Sequence, residues 1–312
     1  MILTVTLNTA LDLTYRVPRL APHSSHRVSE VRERPGGKGL NVARVLAALG
    51  HEVTVTGFAG GPVGEALRAA LDGGLDGLVR DALVRCAGNT RRTVAVVDSA
   101  SGDTTQFNEP GPLISAAEWS GFLTRYDELL RGADAVALCG SLPPGVPVGA
   151  YAVLVRQARA AGVPVLLDTS GEALRRGVAA RPDLIKPNTA ELAELTGARD
   201  PYPAALAARR RGAHAVVASL GPGGLLAATP EGTWQAAPPR ALAGNPTGAG
   251  DSAVAGLLSG LAERLDWPER LARAVALSAA TVAAPVAGEF DPRTYERVRG
   301  SVEVTTGQPA GR

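Results

Sequence analysis

The sequence predicts an α/β protein: a mostly parallel central sheet covered by helices on both faces, with a small separate β-sheet, all within one domain spanning 1–312. Three observations lead there. From about residue 116 to 219, strand-length apolar runs alternate with amphipathic segments, the pattern of parallel strands joined by helical crossovers. Polar or glycine-rich clusters follow the strand candidates in turn, and strand ends of open sheets are where ligands collect. Between about residues 12 and 34, and again from 90 to 111, short alternating segments interrupt this order and read as strands exposed on one face.

Residues 2–7 form the first strand candidate, which emerges into Asn8-Thr9-Ala10-Leu11-Asp12. Asp12 can hydrogen-bond a hydroxylated ligand or cap a turn. Residues 13–17 and 26–31 supply two short strands of the small sheet. Next comes Arg34-Pro35-Gly36-Gly37-Lys38-Gly39-Leu40-Asn41, a glycine-rich loop entering a helix with apolar residues at 42, 43, 46 and 49. It is not a Walker A loop, because Gly39 stands where Ser or Thr would hold magnesium. It still offers backbone N–H groups, a lysine and an amide together, a set suited to a phosphorylated sugar.

A strand over 53–58 and a short helix over 64–71 follow. Residues 90–111 read as a hairpin that completes the small sheet, and Arg91 on it can bind two phosphate oxygens at once. Helices are then expected near 116–131, 148–161, 190–196 and 204–211, with strands over 135–138, 163–167, 184–186 and 215–219. The clusters after those strands are Gly140-Ser141-Leu142-Pro143-Pro144-Gly145, Asp168-Thr169-Ser170-Gly171, Lys186-Pro187-Asn188-Thr189-Ala190-Glu191 and Ser219-Leu220-Gly221-Pro222-Gly223-Gly224. Four at one sheet edge suggest a crevice. Arg209-Arg210-Arg211 reads as a solvated helix face, and the tail after Gly300 as loosely ordered.

Composition narrows the function. The 32 Lys and Arg nearly cancel the 30 Asp and Glu, for a formal net charge of +2, so no broad nucleic-acid or membrane surface is implied and any anion site is local. Cys86 and Cys139 fit no zinc or redox spacing, and the four histidines form no ligand pattern; a reducing cytoplasm is the natural compartment. No apolar run reaches ~18 residues and no export signal is expected.

The chemistry centres on Gly244-Asn245-Pro246-Thr247-Gly248-Ala249-Gly250-Asp251-Ser252. Apolar residues at 253, 254, 257, 258 and 261 place a helix immediately after it. A helix start carries unpaired N–H groups and the positive end of the macrodipole, and Gly248 and Gly250 let that backbone approach a ligand. Asp251 would repel an anion held there, but it can take a proton from a hydroxyl attacking that anion. Ordinary capping by Asp or Ser is the alternative reading. The same residues satisfy Gly-x-Gly-x-x-Ala, yet they lie late in the chain after a turn rather than in an N-terminal βαβ unit, so a dinucleotide site is discounted.

Together these motifs resemble the PfkB (ribokinase-like) family of carbohydrate kinases over nearly the whole chain. Gly36-Gly37-Lys38-Gly39-x-Asn41-Val42-Ala43 is similar to the family's first signature and Pro246-Thr247-Gly248-Ala249-Gly250-Asp251-Ser252 to its second, with Lys186-Pro187-Asn188-x-x-Glu191 between them. Thr6-Leu7-Asn8-x-Ala10-x-Asp12, Asn108-Glu109-Pro110-Gly111-Pro112 and the Gly140–Gly145 cluster resemble the family's phosphosugar kinases, those acting on fructose 1-phosphate above all. The resemblance implies that ATP and Mg2+ are used, that Asp251 is the catalytic base, and that Gly248, Ala249 and Gly250 form an anion hole. It implies that Asp12, Gly37 and Asn41 bind sugar hydroxyls, with Lys38, Arg91, Ser141 and Arg27 around the substrate's phosphate. Lys186, Asn188, Ser219, Gly221 and Gly224 would lie on the ATP side, and Glu191 would belong to the magnesium site.

The small sheet, about 12–34 and 91–109, would be a lid and a homodimer contact. The implied reaction converts fructose 1-phosphate to fructose 1,6-bisphosphate. Phosphorylation of tagatose 6-phosphate or fructose 6-phosphate at the 1-hydroxyl is the enzymatic alternative, and a non-catalytic sugar-phosphate-binding regulator the other. Two departures stand out: Asn245-Pro246 precedes the catalytic turn where relatives often carry Ser, Thr or Val, and Gly73-Gly74-Leu75-Asp76-Gly77 lengthens a connection expected to lie away from the site.

Overall fold

The computed structural model describes residues 1–72, 77–240, 244–284 and 289–307. In spatial order the central sheet runs β15 (Glu303–Thr306), β14 (Thr233–Ala237), β13 (Leu225–Ala228), β12 (Ala215–Ser219), β11 (Leu184–Ile185), β10 (Val165–Asp168), β9 (Ala135–Cys139), β1 (Ile2–Thr6), β4 (Val53–Ala59) and β5 (Val79–Asp81), with β6 (Val84–Arg85) also paired to β4. From β12 to β5 neighbours are parallel. β13, β14 and β15 add on antiparallel.

Alternate residues of each strand feed two cores, as the period of two requires. Ile2, Val53, Ala137 and Leu166 pack toward α1 (Lys38–Ala48), α2 (Gly61–Asp72), α8 (Ala249–Ala262), α9 (Trp267–Val282) and α10 (Pro292–Arg299). Leu3, Leu138, Val165 and Leu167 pack toward α3 (Ala116–Leu130), α4 (Ala150–Ala160), α5 (Gly171–Ala179), α6 (Thr189–Thr196) and α7 (Pro201–Arg210). Helices on both faces explain why the strands are apolar throughout rather than alternating.

The second sheet has the order β3 (Glu30–Gly36), β2 (Ala10–Val17), β7 (Arg91–Asp98), β8 (Thr104–Asn108). β2 pairs antiparallel with β3 and parallel with β7, and β7 and β8 form the expected hairpin. β3 starts later than expected. His26 to Ser29 precede it, and it runs on through Pro35 and Gly36, where a Cβ on Gly36 would stand 2.1 Å from the Asp12 carboxyl carbon. Glycine is what lets β3 lie against that carboxylate.

Two other expectations are corrected. The tail is not loose up to residue 306, because β15 pairs with β14 and gives that antiparallel strand its second neighbour. Arg209 and Arg211 are not a merely solvated face: Arg209 donates to the His214 and Thr229 carbonyls at 2.9 and 2.6 Å, and Arg211 to those of Leu195 and Thr196 at the end of α6. Residues 73–76 of the lengthened connection lie outside the described residues.

Helix starts differ in a way that matters for the site. Ser115, Asn188, Asp200, Asp266 and Asp291 cap α3, α6, α7, α9 and α10 with their own side chains. α1 and α8 begin instead at Gly37 (φ 109) and Gly248 (φ 86), with no side chain accepting from their first N–H groups. α8 is buried from Asp251 to Gly260 and crosses α9 closely, so that a Cβ on Gly256 would lie 2.7 Å from the Ala274 Cα. Replacing Gly256 with Val should therefore force the two helices apart. A loss of about 1–3 kcal/mol, the usual cost of overpacking, is expected in chemical denaturation; unchanged stability would show that the α8–α9 contact yields.

Candidate active site

The parallel register brings the carboxyl ends of β1, β9, β10, β11 and β12 to one edge. There Asp168 closes β10 beside Cys139 of β9, and Lys186 follows β11. Asp168 is 1 % exposed, and two ammonium groups flank it: Lys38 Nζ at 3.3 Å from Oδ2 and Lys186 Nζ at 3.6 Å from Oδ1. Lys186 is buried, whereas Lys38, at the first position of α1, is about two-fifths exposed (41 %). Burial alone would lower the Lys38 pKa, but the carboxylates of Asp168, Asp251 and Glu191 outweigh it and raise the group. It stays a cation at neutral pH.

Asp251 lies in the first turn of α8, buried, with Asn41 Nδ2 donating to its Oδ2 at 2.8 Å. Burial first, then the charge of Asp168, push its carboxyl up to about 6, against the pull of Lys38, the Asn41 amide and Lys186. A carboxylate so tuned is ionised at neutral pH yet basic enough to accept a proton. Among the described residues, the N–H groups of Gly250 and Asp251 have no protein acceptor, while Ala249 donates back to Pro246 and Ser252 to Gly248. The Lys186 ammonium lies beside this turn, 3.6 Å from where a Gly250 Cβ would stand.

Two cavities meet at that turn. One, about 380 Å3, is polar: Asp12, Arg34, Gly37, Lys38, Asn41, Arg91, Thr93, Asn108, Thr247, Gly248 and Asp251 line it, and the second sheet forms one wall. The other, about 390 Å3, is more apolar and is bounded by Ser219, Gly221, Gly224, Leu225, Ala249, Gly250, Val275, Ala279 and Val282. Gly248 and Asp251 face the first and Ala249 and Gly250 the second, so the mouth of α8 is the partition between them.

The expected residues thus sort by position. Asp12 sits in the polar cavity, bonded by the Thr93 hydroxyl, its carboxyl raised by burial against that bond and the charges of Arg44, Arg34 and Arg91. Arg91 is held by the carbonyls of Asn8 (3.3 Å) and Glu109 (3.1 Å) with its head in the same cavity. Ser141 is exposed and lines neither cavity; it accepts from Asn8 Nδ2 at 3.1 Å. Asn188 bridges to Ser219 across the sheet edge, and Glu191 caps α6: its Oε2 accepts the Asn188 N–H at 2.8 Å. Arg27 is not brought in; it is exposed on the β2–β3 connection and lines neither cavity.

Asp168 carried no role in the sequence reading, although its signal was present: a carboxylate directly after an apolar strand run. Asn8 also went unassigned. It is buried and ties the end of β1 to Pro110 and Ser141. A larger cavity of about 620 Å3 lies behind α1 against α9 and α10, and Lys38, Asp168, Lys186 and Asp251 are not among its walls. It is not where these groups converge.

A buried carboxylate at an uncapped helix mouth, between a polar and an apolar cavity on a ribokinase-like α/β sheet, fits the carbohydrate kinase class that the sequence likenesses show. The chain belongs to the pfkB family of carbohydrate kinases, which its sequence matches over residues 3–293. It is 42% identical over 286 residues to a 1-phosphofructokinase of Rhodobacter capsulatus, covering 89% of this chain and 90% of that one. Among solved structures it is similar to the tetrameric inhibited form of phosphofructokinase-2 from Escherichia coli (TM-score 0.88, 32% identity, 96% of this chain and 98% of that one). It is also similar to a possible 1-phosphofructokinase of Thermotoga maritima (TM-score 0.86, 26% identity, 99% and 100% covered).

Removing the neighbouring charge separates the two causes of the Asp251 shift. In Asp168→Asn the raising carboxylate is gone and the two lysines are uncompensated, so the Asp251 carboxyl should fall below about 6 in a carbon-detected NMR titration. A value that stays put would mean that burial alone sets it.

Proposed function

We propose that this chain transfers the γ-phosphoryl group of ATP to the 6-hydroxyl of fructose 1-phosphate, giving fructose 1,6-bisphosphate and ADP. The observation that carries this reading is the position of Asp251 on the partition between the two cavities, beside N–H groups with no protein acceptor. The sugar phosphate would occupy the polar cavity, with Asp12, Gly37 and Asn41 toward its hydroxyls and Lys38 and Arg91 toward its phosphate. The nucleoside of ATP would sit against Gly221, Gly224, Val275 and Ala279, with Lys186, Asn188 and Ser219 on the side of its phosphates.

The chemistry then follows from the groups at the partition. Asn41 occupies Oδ2 of Asp251, so its other oxygen takes the proton as the acceptor oxygen bonds to the γ-phosphorus and the bond to the β–γ bridging oxygen breaks. Negative charge on the transferring group would be met by the amides of Gly248 and Gly250 and the dipole of α8, whereas the Ala249 amide, expected to join them, is engaged by the Pro246 carbonyl. Such a reaction asks the protein mainly to position its reactants.

No group of three His, Cys, Asp or Glu among the described residues could hold a metal ion. One oxygen of Glu191 is taken by its helix cap. Its other oxygen fits magnesium, which keeps several waters and binds through one or two carboxylates plus substrate phosphates. Bound there it would neutralise the phosphates, and Glu191 would hold its water shell.

The second sheet walls the polar cavity and would act as its lid within a single kinase domain. Val31 and Phe107 on it are 55 % and 60 % exposed, which supports a homodimer through that sheet. Among the described residues no helix is long and apolar enough to cross a membrane, and Cys86 and Cys139 are buried free thiols, in keeping with a cytoplasmic enzyme. A second reading, phosphorylation of fructose 6-phosphate at its 1-hydroxyl, is favoured by the structural likeness to phosphofructokinase-2 from Escherichia coli in complex with fructose-6-phosphate (TM-score 0.86). The greater sequence likeness favours the first.

ADP release with fructose 1-phosphate, fructose 6-phosphate and tagatose 6-phosphate decides between them. The highest kcat/KM is expected with fructose 1-phosphate; a preference for a 6-phosphate moves the attacked hydroxyl to carbon 1, and binding of all three without turnover makes the chain a sensor. Asp251→Asn should fold and lose roughly 10²–10⁴ in kcat. In the unmodified enzyme kcat should fall as pH drops through about 6, because the base must be ionised.

A further inference from the structure

Arg44 lies one turn beyond Asn41 on α1, outside every motif that carried the functional reading. Its Nη1 donates to Asn41 Oδ1 at 3.0 Å, and Asn41 Nδ2 donates to Asp251 Oδ2 at 2.8 Å. A carboxamide has one acceptor end and one donor end, and a guanidinium can only donate. With Arg44 on the oxygen, the nitrogen must face Asp251. The reversed amide would set Nδ2 against a donor and its oxygen against a carboxylate.

We propose that Arg44 is a positioning residue for phosphoryl transfer: by fixing the orientation of the Asn41 amide it holds the Asp251 carboxylate with one oxygen bonded and the other open to the acceptor hydroxyl. The inference rests on Asp251 being the base. Two further observations support it. The Arg44 Nη2 is buried without a hydrogen-bond partner, a costly state that core packing alone does not explain, since an apolar side chain would fill the same space without it. The charge also persists: burial, then the nearby Arg34, lower Arg44 to about 10 against the carboxylates of Asp12, Glu289 and Asp251, so it remains a cation at neutral pH. Asp251 itself faces Asp168, Lys38 and Lys186 from β10, α1 and the end of β11, and none of these touches the amide oxygen of Asn41.

The test compares Arg44→Leu, Arg44→Gln and Arg44→Lys with Asn41→Ala and the double variant Asn41→Ala/Arg44→Leu. Arg44→Leu should lower kcat by about 10-to-100-fold, the scale of a slightly misplaced catalytic group, with KM for ATP little changed. The acid limb of the kcat profile should move to higher pH, because Asp251 loses both a held amide and a nearby cation. Arg44→Lys should recover most of the lost turnover. In the Asn41→Ala background the Arg44→Leu change should have no further effect on kcat.

If Arg44→Leu does not fold, Arg44→Gln, which can donate or accept and so releases the amide's orientation, carries the same expectations. Wild-type kcat with an unmoved acid limb, or a loss that adds in full to that of Asn41→Ala, overturns the inference. Normal turnover in Asp251→Asn would instead remove the base on which it rests.

Discussion

The site depends on one electrostatic arrangement: two buried carboxylates, Asp168 and Asp251, with Lys38 and Lys186 both paired to the first. Alone, either carboxylate would be costly to bury as an ion. Asp168 resolves this with both ammonium groups, at 3.3 and 3.6 Å. Asp251 shares their field at one remove and has an amide rather than an ion as its direct partner. The pairing is unequal: Asp168 anchors both cations, while Asp251, raised to about 6, is the one that in the proposed reaction would exchange a proton. Two carboxylates in one pocket with different partners are a general way of dividing such work.

The fold supplies this arrangement because four different segments end at the same place. β10 delivers Asp168, the end of β11 delivers Lys186, and α1 and α8 deliver Lys38 and Asp251 at their first turns. Helix starts and parallel strand ends coincide at the carboxyl edge of a wound sheet, so fixed side chains and free amides are brought together without extra loops. The glycine starts of α1 and α8 matter for the same reason. A side-chain cap such as those of Asp200 or Asp266 would consume the amides and occupy the space a ligand's anion needs.

Much of this was legible in the order of residues. Gly248-Ala-Gly250-Asp251 before an apolar helix points to a glycine-opened helix start with a carboxylate in its first turn, and both cavities reach that turn. The parallel sheet could be read because strands buried on both faces leave continuous apolar runs. What could not be read was pairing across distance. Asp168 looked like one more polar residue at a strand end, since only the register of β10 and β11 and the placing of the first turn of α1 reveal that two lysines reach it. β13 and β14, short and rich in alanine, carry little alternation, and β15 is too polar to be recognised until it is seen completing the edge of β14. The displacement of β3 has a local cause: Gly36, read as loop, is also the position that allows the strand to close over Asp12.

The two cavities set a constraint on how the reaction can run. The stretch from Gly244 to Asp251 lines one cavity or the other residue by residue, so in the proposed reaction a group passing between them passes the backbone of that stretch. The anionic ligands on both sides would approach the same partition, and their mutual repulsion grows as they do. Lys186 beside Gly250 and Lys38 in the polar cavity stand on either side of Asp168, one toward each ligand. A single buried carboxylate thus fixes the positions of both cations relative to the partition, and losing it would disturb binding on the two sides together. Asp168, which holds both lysines, is accordingly the more deeply buried of the two carboxylates, with 1 % of its surface exposed against 7 % for Asp251.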